Sequence, residues 1–215
     1  LVRSWWLGKK KGKEAYVVPT VVDDISAPGG RRVEFAVGHD PKRAPSKDAE
    51  GTVDRTGAHC IACQTAVDFK YVRAEGRAKR MGQQLMAIVA EGERRRVYLP
   101  PTVEHVRAAD LPEPTMAPTT SMPDKAPSFR VQAYGMTNHA DLFTHRQLNA
   151  LTTFSDLIID ARERALADAL DAGLPHCERL ANGGIGAEAY ADAVATYLGI
   201  AVSRLTDYQS KITTW

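Results

Sequence analysis

The sequence predicts an α+β protein: an antiparallel β-rich, zinc-ribbon-like domain first, and a helical hairpin or bundle last. Three observations lead there. The first 110 residues carry short runs of β-branched and aromatic residues with period-two alternation, the pattern of half-buried strands. The last third repeats apolar residues at steps of three and four, the pattern of amphipathic helices. Between them, residues 100–128 hold 7 of the 12 prolines and no glycine, which marks an extended connector. The predicted organisation is a basic β-rich domain over 1–110, a proline-rich connector over 111–128 and an α-helical domain over 129–215.

The elements follow in order. Val2, Trp5 and Leu7 open a short strand. Gly8 to Lys13 makes a charged turn, and Ala15 to Val22 returns as the second arm of a hairpin. Pro19 suits an edge strand, because it has no N–H to give to a ladder. Arg31 to Val37 alternates, with Val33, Phe35 and Val37 on one face. Residues 38–57 read as a polar loop. Residues 65–73 read as a further strand through Val67, Phe69 and Tyr71, and Lys70 to Gln84 is basic and poorly periodic. Leu85 to Val89 and Arg95 to Leu99 flank Glu91-Gly92-Glu93 as a second hairpin. A short helix over Val103 to Ala109 precedes the connector.

Thr144 is the N-cap of the first long helix, whose stripe is Leu148, Leu151, Phe154, Ile158, Ala161 and Ala165. Gly173 and Pro175 stop it. The second helix starts after Gly186 with the stripe Tyr190, Val194, Tyr197, Ala201, Leu205 and Tyr208. Gly199 weakens it by about 1 kcal/mol relative to Ala and would permit close helix contact. Two such helices on one loop pack antiparallel.

At 44% hydrophobic and 25% charged, the composition is that of an ordinary globular chain. No run of roughly 18 apolar residues occurs, so no membrane partner is expected. The net charge of +2 hides an asymmetry. Residues 1–110 hold 20 Lys/Arg against 14 Asp/Glu, a balance of +6; residues 111–215 hold 8 against 12, a balance of −4. The three cysteines, an odd number, argue against a secreted disulfide framework, and no signal peptide precedes the first strand. A reducing, cytoplasmic location is therefore expected. The start at Leu1 instead of Met reads as a piece of a longer protein.

The sharpest local motif is Cys60-Ile61-Ala62-Cys63. Two thiolates three residues apart on a tight turn can share one zinc ion at Zn–S distances of about 2.3 Å. A structural site needs four ligands and no second C-x-x-C is present, so Cys60 and Cys63 form a half-site. His59, His39 and the pair His176-Cys177 are the internal candidates to complete it; two free thiols in a turn is the alternative. The basic segments are the candidate nucleic-acid contacts, with Lys9, Lys10, Lys11 and Lys13 in the first turn and Arg73, Arg77, Lys79 and Arg80 in the second cluster. Stacked on one side, such turns would track phosphates with salt-dependent affinity, with Trp5, Trp6, Phe69 and Tyr71 as stacking surfaces. The competing reading is solvated turns on a small β-domain. Gly183-Gly184-Ile185-Gly186 follows a helix and lacks the Lys-Ser/Thr ending of a phosphate loop, so it reads as a cap and turn. No H-E-x-x-H or G-x-S-x-G motif and no intact catalytic constellation is present.

Four strings, LVRSWWLGKKKGKEAYVVP (1–19), YVRAEGRAKRMGQQLMAIVAEGERRRVYLPPT (71–102), YGMTNHADLFTHRQLNALTTFSDLI (134–158) and ATYLGIAVSRLTDYQSKITTW (195–215), follow in order. They resemble the middle part of large bacterial adenine-specific DNA methylases, which carry an N-terminal domain of unknown function and are often encoded beside phage-defence genes. The resemblance implies a longer enzyme that binds S-adenosylmethionine in a Rossmann-like domain and methylates a flipped-out adenine. It implies DNA as that enzyme's partner, and packing of this segment on methyltransferase regions outside it. It also implies a zinc-ribbon-like insert in which Cys60 and Cys63 are the second cysteine pair. The D-P-P-Y and glycine-rich cofactor motifs do not occur here, so no catalytic or cofactor-binding residue carries over. The expected function is a methyltransferase fragment that contacts nucleic acid and scaffolds, without transferring methyl groups itself. The alternative is a protein-interaction module whose helical pair presents Tyr190, Tyr197 and Tyr208 to a partner chain.

Overall fold

The structure is a computed structural model that describes residues 1–46, 49, 51–125 and 130–212. Residues 47, 48 and 50 of the expected loop, 126–128 of the connector, 129, and 213–215 lie outside the described residues. The chain is mixed α+β with antiparallel sheets. It divides into two compact units, Leu1–Ala108 with Pro127–Gly135, and Ala109–Ala126 with Met136–Trp215. No described helix is long and apolar enough to cross a membrane.

In the first unit, β1 (Trp6–Gly8), β2 (Ala15–Asp23) and β3 (Arg31–Gly38) form one antiparallel sheet in the order β1-β2-β3. The register sets Val17 opposite Val37, Pro19 opposite Phe35 and Val21 opposite Val33, so the alternating apolar face of β3 meets that of β2. Pro19 lies in the middle strand, yet it costs no ladder bond. The Val17 N–H points to the β1 side and donates to the Trp5 carbonyl at 2.7 Å. The Pro19 nitrogen faces that same side two residues on, past the residues that β1 pairs. Tyr16 lies across Gly38, where an added Cβ would fall 2.5 Å from its ring.

The segment expected to be a plain loop is tied to the N-terminus. Gly51 and Thr52 N–H groups donate to the carbonyls of Arg3 and Val2, and the buried Thr52 hydroxyl accepts from the Val2 N–H at 2.9 Å. Beyond it come β4 (Ala58–His59) and β5 (Ala66–Val67), a two-residue pair around the cysteine turn.

The strand expected over 65–73 ends at Val67, and Phe69 to Arg77 is a helix, α1 (Phe69–Arg77). The cause is Asp68, whose carboxylate accepts from the Tyr71 N–H at 2.6 Å and caps the helix at its start. A single-turn helix over Val131–Tyr134 packs on α1. Gly76 makes this possible, since a Cβ there would lie 2.4 Å from the Tyr134 carbonyl oxygen. The second hairpin is β6 (Ile88–Gly92) paired with β7 (Arg95–Leu99), followed by α2 (Val103–Ala109).

The second unit is built on α3 (His145–Asp171) and α4 (Ala187–Tyr208). Thr144 caps α3 reciprocally: its hydroxyl accepts from the Gln147 N–H, and the Gln147 side chain accepts from the Thr144 N–H. At the other end Gly173, at φ 88°, closes a Schellman turn, with Gly173 and Leu174 N–H groups donating to the Leu170 and Ala169 carbonyls. The helices run antiparallel, as the pairs Arg162–Asp192 and Leu142–Lys211 require. Residues 111–112 also join this unit, since the Pro112 carbonyl accepts from Asn149 and the Leu111 carbonyl bonds His145.

Two expectations for the helices change. Phe154 is 48% exposed, although Leu148 and Leu151 are buried as expected. In α4 the stripe is out of phase. Ala187 and Ala191 are buried and Val194, Val202 and Leu205 half-buried, whereas Tyr190, Tyr197 and Tyr208 lie on the exposed side. Gly199 has nothing within 4 Å of an added Cβ, so it serves no close helix contact among the described residues.

Gly76→Ala should cost about 2–3 kcal/mol in urea unfolding, because backbone must move to admit the methyl group. Gly82→Ala, where a Cβ meets nothing within 4 Å, should stay within about 0.5 kcal/mol.

Candidate functional site

The cysteine motif sits on a closed turn between β4 and β5. The Cys60 N–H donates to the Thr65 carbonyl and the Gln64 N–H to the Cys60 carbonyl, at 2.9 and 2.8 Å. Gln64 takes a left-handed conformation, φ 60°, which lets the chain reverse within the motif. The Cys63 sulfur lies 3.1 Å from the Thr65 hydroxyl. Hydrogen bonds from the Thr65 side chain and backbone, then from Cys60, with the charge of Arg31 adding to them, hold the Cys63 thiol below its ordinary value of 9.0. The turn therefore presents Cys63 exposed and Cys60 half-buried beside it, both as free thiols.

Two thiols fall short of the four ligands of a structural zinc site. Among the described residues no group of three or more His, Cys, Asp or Glu side chains is placed to hold a metal ion. His39 bonds the Glu14 carbonyl at 3.1 Å. His176 and Cys177 belong to the second unit, on the loop before α4. There the Glu188 carboxylate grips both, pairing with His176 Nδ1 at 2.6 Å and accepting from the Cys177 N–H at 2.7 Å. The Cys177 sulfur accepts from the Gly186 N–H at 2.9 Å. Gly183 to Gly186 form the cap and turn that lead into α4, as the sequence predicts, with Gly183 left-handed at φ 82°.

An open cleft of about 730 Å³ borders the knuckle, lined among others by Asp54, His59, Asp68 and Tyr71. Its carboxylates are committed to local structure. Asp54 Oδ1 accepts from the Thr56 and Gly57 N–H groups and the Thr56 hydroxyl, which lowers its pKa, and Asp68 caps α1.

The basic clusters fall on two elements of the first unit. Lys9, Lys10, Lys11 and Lys13 occupy the β1–β2 turn, all exposed, with Lys9 6.0 Å from the centre of the Trp6 ring. The turn is closed by the Lys13 N–H to the Lys10 carbonyl and by Gly12 at φ 76°. Arg73, Arg77, Lys79 and Arg80 lie on and just after α1, also exposed, but three of them have structural work. Arg73 stacks over Tyr134 at 5.5 Å, and the Lys79 ammonium donates to the Gly135 carbonyl at 2.7 Å. Arg80 makes a two-pronged pair with Glu75 at 2.8 and 2.6 Å. The charge is displayed to solvent while these contacts fasten α1 to its neighbours. That double use is absent from the sequence pattern; only the Glu75–Arg80 spacing hints at it.

Two outcomes follow. Replacing Thr65 by Val should raise the Cys63 pKa and slow its alkylation by iodoacetamide at neutral pH severalfold, because less thiolate is present. The Glu188 carboxyl is lowered from 4.5 to about 2, chiefly by His176 and then by the Cys177 N–H. A carboxyl depressed in the folded state stabilises above its unfolded pKa and loses that contribution as pH falls through the folded one. Acid titration of stability should therefore show a loss between pH 4.5 and about 2 that Glu188→Gln flattens. Compared with protein families, curated proteins and solved structures, this chain gives no match.

Proposed function

We propose that this chain is the nucleic-acid-contacting and scaffolding segment of an adenine-specific DNA methyltransferase, with methyl transfer and S-adenosylmethionine binding carried by other regions. The observation that carries the reading is the β1–β2 turn, where four exposed lysines crowd one hairpin tip in the basic half of the chain. Ammonium groups on a tight turn approach phosphates as point charges and release counterions, so affinity comes without sequence readout. The second cluster on α1 adds Arg77, and the stacked and paired Arg73, Lys79 and Arg80 keep their charge exposed beside it. The four ordered strings support the assignment to the methylases.

On the same reading the Cys60–Cys63 turn is one half of a zinc ribbon, completed by a cysteine pair elsewhere in the longer enzyme, and the protein works in the cytoplasm on DNA. The geometry in favour is the turn itself, which leaves both thiols free and lowers the pKa of one of them.

Electrophoretic mobility shift of the chain on duplex DNA at several salt concentrations tests the reading. Binding should weaken steeply with salt. Changing Lys9, Lys10, Lys11 and Lys13 together to Ala should lower the log–log salt slope by about 3 to 4, near 0.9 for each phosphate that is no longer neutralised. Affinity that is absent, or flat with salt, overturns it.

A further inference from the structure

The cysteine motif brings two nucleophilic sulfurs together on a closed turn. The Gln64 N–H donates to the Cys60 carbonyl four residues back, so residues 60–64 form one α-like turn. The Cys60 N–H donates to the Thr65 carbonyl, which joins the start of the turn to its exit, and the pairing of β4 with β5 holds both ends. Arg31 Nη1, on β3, donates to the Ala62 carbonyl at 3.3 Å and ties the turn to the first sheet. Cα atoms three residues apart on a single α-type turn are about 5 Å from each other. A disulfide spans roughly 4.4–6.8 Å between Cα atoms, so the backbone spacing already suits a bond between Cys60 and Cys63. The side chains converge as well, since the Cys60 thiol lies within hydrogen-bonding reach of the Cys63 sulfur.

Access sets the order of events. Cys63 is exposed and Cys60 half-buried beside it, so a reagent in solution meets Cys63 first and Cys60 is placed to displace it. Cys177 is the contrast within the same chain. It belongs to the second unit, which has no other cysteine. Its sulfur accepts from the Gly186 N–H and its thiol donates to the Glu178 carbonyl, each at 2.9 Å. A bond from Cys60 to Cys63 closes a loop of only a few residues at the surface. Such a bond gains little from restricting the unfolded chain, and exposed disulfides are the readily reduced ones.

We propose that Cys60 and Cys63 are a reversible thiol–disulfide site, oxidised by low-molecular-weight disulfides such as oxidised glutathione and reopened by the matching thiol. The Cys63 sulfur gives its proton to solvent, attacks one sulfur of the reagent and expels a thiolate, which is protonated to the thiol. The Cys60 sulfur then loses its proton, attacks the Cys63 sulfur of the mixed disulfide and expels the second thiolate. Two electrons and two protons pass from the cysteine pair to the reagent, and two thiol molecules leave. Oxidation takes both sulfurs out of metal binding, because the ligand form of cysteine is the thiolate. The proposal uses the turn alone and does not depend on the nucleic-acid or methyltransferase readings.

Equilibration of the full chain in glutathione buffers of graded thiol-to-disulfide ratio tests it, with EDTA present so that no metal competes. Acid quenching, alkylation and tryptic mass mapping read the result. Both cysteines fall in one tryptic peptide, Thr56 to Lys70. In oxidising buffer that peptide should be lighter by two hydrogens and should take up no alkylating agent. In a Cys177→Ser background the chain should release two glutathione thiols. Adding Cys60→Ser should halve that release and leave one glutathione on Cys63. The folded chain should stay oxidised at a ratio of squared thiol to disulfide at least about tenfold above the one that reduces the free peptide 56–70, because the turn raises the effective concentration of one sulfur at the other. Circular dichroism checks that each variant keeps its fold. A wild type that stops at the mixed disulfide overturns the proposal. So does one whose two thiols stay open to alkylation in every buffer, or one with no advantage over the free peptide.

Discussion

The second unit hangs on one carboxylate. Asp192, on α4, accepts from the Arg162 guanidinium of α3 at 2.7 Å, from the Arg179 guanidinium at 2.6 Å and from the Leu180 N–H at 3.1 Å. Its side chain is only 10% exposed, so these donors face a charge largely withdrawn from water. The hydrogen bond from Arg179, with those from Arg162 and Leu180, holds its carboxyl far below the ordinary range. One side chain thus ties together both helices and the loop that joins them. Glu188, one turn earlier, fastens the same loop at His176 and Cys177. A charge that is partly buried and fully partnered is costly to strand, which makes it a strong determinant of how α4 is rotated against α3.

The first unit is held differently. No large side chain is fully buried among the described residues, and its three small sheets do not merge. What holds them is backbone meeting backbone at close range. Gly51 admits the N-terminal strap, where a Cβ would lie 2.0 Å from the Val2 carbonyl oxygen, and Gly76 admits the Val131–Tyr134 turn. Cation–aromatic and ammonium–carbonyl contacts from Arg73 and Lys79 then close that turn over α1.

The elements with strong local signals are legible in the sequence. Thr144 with Gln147, and Gly173 with Pro175, bracket α3 by chemistry that acts within four residues. The Gly92 hairpin and the three N-terminal strands follow from alternation. The misread elements are those where two patterns overlap. Val67, Phe69 and Tyr71 alternate like a strand, but the carboxylate of Asp68 captures the Tyr71 N–H and starts a helix instead. In α4 two apolar stripes coexist, one of Ala and Val that packs on α3 and one of tyrosines that does not. Periodicity counts both, whereas the ion pairs of Asp192 with Arg162 and Arg179 favour the first. The cysteine turn is legible as a motif, and so are the basic clusters. The stacking of Arg73 and the anchoring of Lys79 depend on Tyr134 and Gly135, far away in sequence, and no local pattern could announce them.

The return of the chain to the first unit has a consequence for how the molecule is made. The path leaves that unit after Ala108, comes back for Pro127–Gly135 and leaves again. No single cut in the backbone separates the two units cleanly. During synthesis the β-rich part cannot complete itself when its last strand emerges. Its α1 keeps Gly76 and Arg73 uncovered until Tyr134 has cleared the ribosome, after the entire proline-rich stretch has been extruded.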